Sequence, residues 1–442
     1  MPITLLGLGP GDPNTLTLEA RDALERAREI FLRTRQHPTV AALPAHLQVH
    51  SFDYLYETLN NPSAALRASF DAIYSAMADD IVARGERGDV LYAVPGHPLF
   101  GEISVQKILA QAREKNIPTR VIAGVSFVDA ACAALALDPL ARGLQVADAT
   151  DLARQHFPRL DPDQPALVGQ LYSRAVASDC KLTLLALYPP DHAVTRVDAA
   201  GTPQQKIETL PLAELDRNDD FGLLTTLYVP PLPRPSSVNA LAEVIARLRA
   251  PDGCPWDREQ THESIRQDFL EECYEVLETL DDGDIPHLRE ELGDLLFHVL
   301  FQAQIASESG EFLLSEVAAD IAEKLVRRHP HVFGDVKAKD ADEAIESWEG
   351  VKRKENGGKP VSSIPRALPA LARAQKIARR GKIKADARDI AARVDKLPRA
   401  RNREKALGEV LLALAAYAAQ KHVDAEGALR AAANKIDLEG FR

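Results

Sequence analysis

Short apolar, β-prone runs alternate with helix-spaced stretches through the first half of the chain. Ile3–Leu8 precedes Thr17–Glu29, Val90–Val94 precedes Ile103–Glu114, and Thr119–Ile122 precedes Phe127–Leu137. Apolar runs of about four to eight residues between turn signals read as buried strands, and the longer stretches as helices packed on them. Further runs at Ala166–Val168 and Leu182–Leu187 continue the alternation, which predicts an α/β domain of two lobes over residues 1–229. The segment Val229–Val238 then places four prolines within six residues, removing backbone donors and favouring an extended spacer, so a linker is expected at 230–238. Beyond it almost every stretch has helical spacing, and this half is expected to be all α. A Gly, Ser and Pro break at Glu355–Pro365 divides it into 239–356 and 357–442.

The two helical stretches echo each other. Leu292-Gly-Asp-Leu-Leu-Phe297 is matched by Leu407-Gly-Glu-Val-Leu-Leu412, and Ala322-Glu-Lys-Leu325 by Ala433-Asn-Lys-Ile436. Residues 366–442 therefore read as a second copy of the 239–356 unit. The acids are eroded in it: Ala406 stands where the first copy has Glu291.

Composition narrows the function classes. With 442 residues, 45% hydrophobic and 27% charged, the chain is long and apolar enough for several cores and cannot be wholly disordered. Its net charge of −12 disfavours bulk nucleic-acid binding, which needs a basic stripe to displace counterions. Carboxylates can instead hold the divalent cations that accompany triphosphates. Cys132, Cys180, Cys254 and Cys273 show no C-x-x-C spacing, so neither a zinc site nor a disulfide framework is expected. The start, MPITLLGLGPGD, has no basic segment and breaks early at Gly and Pro, and no run reaches the roughly 20 apolar residues of a membrane span. A cytoplasmic protein without a membrane partner is expected.

The chemistry concentrates in residues 261–299. Ile265, Phe269, Val276 and Leu280 form the apolar stripe of one helix, with Thr261 as its N-cap, and Asp268, Glu271, Glu272 and Glu275 crowd one flank. The turn Asp282–Pro286 leads to a second helix with the stripe Leu288, Leu292, Leu295, Leu296 and Val299, flanked by Glu291, Asp294 and His298. A short connection makes the helices antiparallel neighbours, each presenting an i, i+3 acid pair: Glu272/Glu275 and Glu291/Asp294. Four converging carboxylates repel one another unless some stay protonated or a cation joins them, and Mg²⁺ takes such oxygen ligands while leaving room for substrate phosphates. In the plainer reading, these acids simply solvate two amphipathic helices.

Gly253-Cys-Pro-Trp-Asp-Arg-Glu-Gln-Thr-His262, Glu271-Glu-x-x-Glu275, Glu291-Leu-Gly-Asp294 and Arg327-Arg-His-Pro-His-Val-Phe-Gly334 together resemble the MazG nucleoside triphosphate pyrophosphohydrolases. The resemblance implies an all-α fold that binds Mg²⁺ and cleaves a nucleoside triphosphate between its α- and β-phosphates, releasing a monophosphate and pyrophosphate. It implies Glu272, Glu275, Glu291 and Asp294 as metal ligands and Glu271 as a candidate for orienting water. Lys324 and Arg328 match the family's phosphate-binding cations, and Trp348 and Lys352 its later W-x-x-x-K pair. His298 reads as a packing residue rather than a ligand. The eroded second copy would complete the bundle without metals, and a homodimer is expected.

In the first half, Gly7-Leu-Gly-Pro-Gly-Asp12 follows a strand and precedes a helix, as a cofactor loop does, but lacks the third glycine of a dinucleotide fingerprint. With Tyr92-Ala-Val-Pro-Gly-His-Pro98, Ala123-Gly-Val-Ser-Phe127 and Ala200-Gly-Thr202 it resembles the tetrapyrrole methylase family. That resemblance implies S-adenosylmethionine held between two α/β lobes by Pro10, Pro95, Gly96, His97, Phe100, Ser126, Phe127 and Gly201, mostly through backbone. His97 departs from the aspartate usual in porphyrinoid methylases, which puts methyl transfer in question. The fused arrangement resembles the YabN-like bacterial proteins. The alternatives are an S-adenosylmethionine-dependent methyltransferase whose helical half only dimerises, and a non-enzymatic nucleotide or cofactor sensor.

Overall fold

The computed structural model describes residues 2–56, 65–355 and 364–436, and the chain divides into two compact units, Met1–Leu241 and Ala242–Arg442. The break expected at 355–365 lies mostly outside the described residues.

The first unit holds two five-stranded sheets. Strands β1 (Ile3–Gly7), β2 (Glu29–Leu32), β3 (Gln48–Ser51), β4 (Val90–Val94) and β5 (Thr119–Ile122) form a parallel sheet in the order β3-β2-β4-β1-β5. Its two faces follow the two-residue period of the strand. Ile3 and Leu5 pack with Tyr92, Met77, Ile81 and Ile108 on one side, while Leu6 and Leu8 pack with Leu24, Ile30 and Leu32 on the other. The chain leaves β1 toward β2 and leaves β4 toward β5, so their carboxyl ends flank a topological switch point, where open parallel sheets keep their ligand crevice.

The second sheet has the order β6-β7-β10-β8-β9, built from β6 (Gln145–Asp148), β7 (Ala166–Gly169), β8 (Ala193–Asp198), β9 (Lys206–Pro211) and β10 (Thr225–Val229). Only β6 and β7 pair in parallel; the other pairs are antiparallel. The run Leu182–Leu187, read as continuing the strand alternation, is instead the end of helix Arg174–Leu184 and the turn after it. Ser173 caps that helix by accepting the Val176 N–H, and Leu184 is fully buried beside Val168 and Leu227. Capping and burial override the β-prone composition. The proline segment is not a free spacer either. Leu232 donates its N–H to Pro162, and Asp163 accepts from the N–H groups of Ser236 and Ser237 and from the Ser237 hydroxyl.

The second unit is helical. Helix Arg266–Asp282 ends at Gly283, whose φ of 70° suits a residue without Cβ, and Asp284 caps helix Ile285–Ser309. Thr261 does not cap the first of these. Thr261 and Ser264 exchange side-chain bonds across a turn, and the helix starts at Arg266 behind a buried Ile265. Helices Leu314–Arg328 and Ala341–Glu355 complete the first copy. The matched segments Leu292–Phe297 and Leu407–Leu412 both lie inside long helices, the latter in Arg403–Gln420. The other echo holds less far, because helix Ala425–Ala433 stops where Asn434–Ile436 begins. The acidic hairpin leaves much of its stripe uncovered: Leu280, Leu292, Leu296 and Val299 are exposed. Among the described residues no helix is long and apolar enough to cross a membrane.

Candidate functional site

The two-residue connection at Gly283 and Asp284 folds the acidic helices side by side. Carboxylate oxygens of Glu272, Glu275 and Glu291 then lie within 4.8 Å of one another. Each is half-buried, whereas Glu271 and Asp294 are exposed. Asp294 is outside that group of three, yet its charge acts on both Glu272 and Glu291. Loss of hydration, followed by the charges of Glu275, Asp294 and Glu291, pushes the Glu272 carboxyl up to about 7, and Glu291 is raised for similar reasons. This donor set fits a hard divalent cation: oxygen atoms only, close together, and in electrostatic conflict without one. His298 is buried between the rings of Phe269 and Phe297, at 5.8 and 5.4 Å, and burial lowers its pKa. It packs the hairpin.

Lys324 and Arg328 share a face of helix Leu314–Arg328 at i, i+4. Lys324 is exposed, but Arg328 pairs with Glu355 at 2.7 Å, as Arg327 does. Both guanidinium groups hold the Glu355 carboxyl down at about 2. The Trp348 indole meets two cations, with the Arg328 guanidinium 5.7 Å and the Lys352 ammonium 4.5 Å from its ring centre. Three of the four residues singled out here from sequence, Arg328, Trp348 and Lys352, thus meet. The part played by Glu355 was missed, because a pair 27 residues apart leaves no periodic trace.

In the first unit, the turns after β1 and β4 are joined backbone to backbone. Gly9 and Gly96 exchange N–H···O bonds of 3.1 and 2.8 Å, which sets Pro10 beside Pro95 and Gly96. Gly201 is in the left-handed region at φ 74°, where an added Cβ would touch Ala130 and Pro10. Pro10, Asp129, Ala130, Gly201 and Gln205 line a cleft of about 490 Å³. Ser126 caps helix Phe127–Leu135 through a reciprocal box with Asp129, and Phe127 packs on Gly169 of β7. His97 accepts the Leu99 N–H at Nδ1 and meets the half-exposed Phe100 edge to face. Pro10 and Gly201 thus line the cleft itself, Ser126 and Phe127 lead into the helix that forms its wall, and Pro95, Gly96, His97 and Phe100 belong to the turn bonded to its glycine loop.

Sequence reading passed over a charged group beneath these turns. Arg33 pairs with buried Glu102 at 3.4 Å, ringed by Tyr56, Tyr74 and Tyr92. Burial raises Glu102, and Arg33 opposes the rise. His37, also buried, lies against the Gly9 backbone, and burial with the charge of Arg33 opposes its protonation. Lone charged residues in a loop carry no sequence signature, so only the fold reveals their burial.

Residues 260–333 match the MazG nucleotide pyrophosphohydrolase domain, and residues 2–216 match the tetrapyrrole (corrin/porphyrin) methylases. The protein YabN of Bacillus subtilis is 39% identical over 85% of this chain and 76% of its own length. A nucleoside triphosphate pyrophosphohydrolase of Escherichia coli is 48% identical over 33% of this chain, which spans 57% of that protein. The nucleoside triphosphate pyrophosphohydrolase/pyrophosphatase MazG of Thermotoga maritima is 38% identical over 46% of this chain and 83% of its own length.

Proposed function

Since the chain, with its tetrapyrrole methylase and MazG regions, belongs to the same family as Bacillus subtilis YabN, we propose that its helical unit hydrolyses nucleoside triphosphates to a monophosphate and pyrophosphate with Mg²⁺. The observation that carries this reading is the gathering of Glu272, Glu275 and Glu291 within 4.8 Å, with Glu272 forced up to about 7 by its neighbours. Those three, with Asp294 beside them, would hold the cation. Bound there, Mg²⁺ supplies charge neutralisation on phosphate oxygens and acidifies water.

The protein's own side chains do the rest. Lys324 and Arg328 take phosphate oxygens, Arg328 exchanging Glu355 for substrate, and Trp348 with Lys352 holds the Arg328 guanidinium in place from behind. Glu271, exposed on the ligand helix, orients the attacking water through its carboxylate. The water oxygen bonds to the α-phosphorus as its proton passes to the Glu271 carboxylate, the bond to the bridging oxygen breaks, and pyrophosphate departs with the electron pair. In the first unit, Pro10, Pro95, Gly96, His97, Phe100, Ser126, Phe127 and Gly201 surround an S-adenosylmethionine site, a reading supported by the cleft that Pro10 and Gly201 line and by the backbone bonds that join the turns after β1 and β4. The exposed stripe of the acidic hairpin supports a homodimer that covers it.

Incubating the protein with a panel of nucleoside triphosphates and Mg²⁺, and scoring pyrophosphate against orthophosphate, tests the main reading. Pyrophosphate in step with monophosphate is expected; orthophosphate alone, or no product from any member of the panel, removes it. Calorimetry with S-adenosylmethionine tests the first unit separately.

A further inference from the structure

The two helical copies have diverged in charge as well as in acids. Residues 239–355 carry thirteen Lys and Arg against twenty-eight Asp and Glu, whereas residues 364–436 carry seventeen against seven. Opposite charge draws the two copies together, as where Arg430 of the second pairs with Asp281 of the first at 2.9 Å.

Part of this charge gathers on one hollow. Helix Ala370–Gly381 presents Arg373, Ile377 and Arg380 at i, i+4, i+7, and with Ile364, Pro365 and Arg366 they line a cavity of about 590 Å³. The Arg373 Nε is shielded from water yet has no hydrogen-bond partner among the described residues, a cost that a ligand oxygen would relieve. Each guanidinium is a planar fork of donors that matches phosphate oxygens two at a time. Ile364, Pro365 and Ile377 make the apolar part of its wall.

The geometry points to a second anion site in the eroded copy, which binds a chain of linked phosphates without hydrolysing it. Hydrolysis is absent there because Ala406 stands in place of Glu291, so the acids that would gather a cation are not complete. A concave site with Arg366 and Arg373 in its lining suits a short polyphosphate, free or carried by a nucleoside whose base would rest on the apolar wall. A nucleic-acid backbone would instead need cations in a row that tracks successive phosphates. This site is separate from the acidic hairpin, and it stands or falls independently of the activity proposed there.

The test uses the full chain in excess chelator, so that no metal can carry phosphate to the acidic helices. Inorganic tripolyphosphate and a non-hydrolysable nucleoside triphosphate are titrated by calorimetry. Both are expected to bind, with affinity falling at least tenfold in Arg373→Gln and in Arg366→Gln, and unchanged in Glu272→Gln and in Arg388→Gln, an exposed arginine outside the cavity. Tighter binding of the nucleoside form assigns the apolar wall to a base; equal binding assigns the site to inorganic polyphosphate. Because Arg366 is exposed, its variant retains the wild-type melting temperature and guards against misfolding in the other. No heat from either probe, an equal loss in Arg388→Gln, or preferential binding of an RNA hairpin lost in the same variants would overturn the proposal.

Discussion

Gly9 and Gly96 hold each other by both of their backbone polar groups, so the turn after β1 and the turn after β4 are one rigid piece at the mouth of the cleft. Gly7 and Gly124 allow this closeness. A Cβ on Gly7 would lie 2.5 Å from the Gly96 carbonyl oxygen, and one on Gly124 would strike the same atom. Gly7→Ala or Gly124→Ala should therefore cost about 1–3 kcal/mol of stability in denaturant melts and weaken S-adenosylmethionine binding at least tenfold. Gly88→Ala, with nothing within 4 Å of the new carbon, should change neither.

Pyrophosphate release should fall by more than a hundredfold in Glu272→Gln and in Asp294→Asn, with no loss of melting temperature, because removing a carboxylate from this crowd relieves repulsion while removing a ligand. Chelation of the metal should abolish turnover in the wild type, and Mg²⁺ should restore it. Full activity in both variants would exclude this ligand set.

Arg328 is held by Glu355 and faces Trp348, so its removal takes away a proposed phosphate donor and leaves the Glu355 carboxylate with the guanidinium of Arg327. Arg328→Ala should raise KM for the triphosphate at least tenfold. Arg328→Lys should recover only part of this, since an ammonium cannot fork across two oxygens. Steady-state kinetics at saturating Mg²⁺ would show whether the loss lies in KM as expected or in kcat alone.

Burial, reinforced by the charge of Arg33, pulls His37 down to about 4. An unfolded histidine titrates near 6.5, so between these values the unfolded chain binds more protons than the folded one. The stability contributed is fully present above roughly pH 6.5 and is lost as the pH falls toward 4, a span worth on the order of 3 kcal/mol. Melting curves at pH 7 and pH 5 should differ less in His37→Leu than in the wild type. An identical difference in the two proteins would show that His37 is protonated in the folded state.

Light scattering should return twice the 48.3 kDa chain mass. Glu at both Leu280 and Leu292, exposed residues of the acidic hairpin, should shift the particle toward the monomer while helix content by circular dichroism stays constant.

The parts of the fold that were legible in the sequence are those with strong local patterns. β1, β4 and β5 are apolar runs beside Gly or Pro turns, and all three lie where the pattern placed them. β2 and β3 carry weaker signals: β2 follows the preceding helix with no Gly or Pro between them, and β3 is too polar to alternate visibly. β9 is mostly exposed along its length, so no burial pattern marks it. In the helical unit, i, i+3 spacing anticipates the pairing of Glu272 with Glu275 on one helix, and the short connection brings Glu291 to them, while Asp294 stays outside the group of three. What spacing could not show is that Leu280, Leu292, Leu296 and Val299 stay uncovered, or that Glu355 returns to Arg328, since both depend on where whole helices come to rest.

Asp163 gathers three donors from Ser236 and Ser237, and Leu232 is tied to Pro162, which makes the proline segment the final fastening of the second lobe rather than slack cord. Anyone dividing the gene to express the halves separately would naturally cut after Val229, where the last strand stops. That cut would strip the stitching from the first half and leave its Asp163 carboxylate without those partners. Placing the cut beyond Leu241 keeps the seam whole.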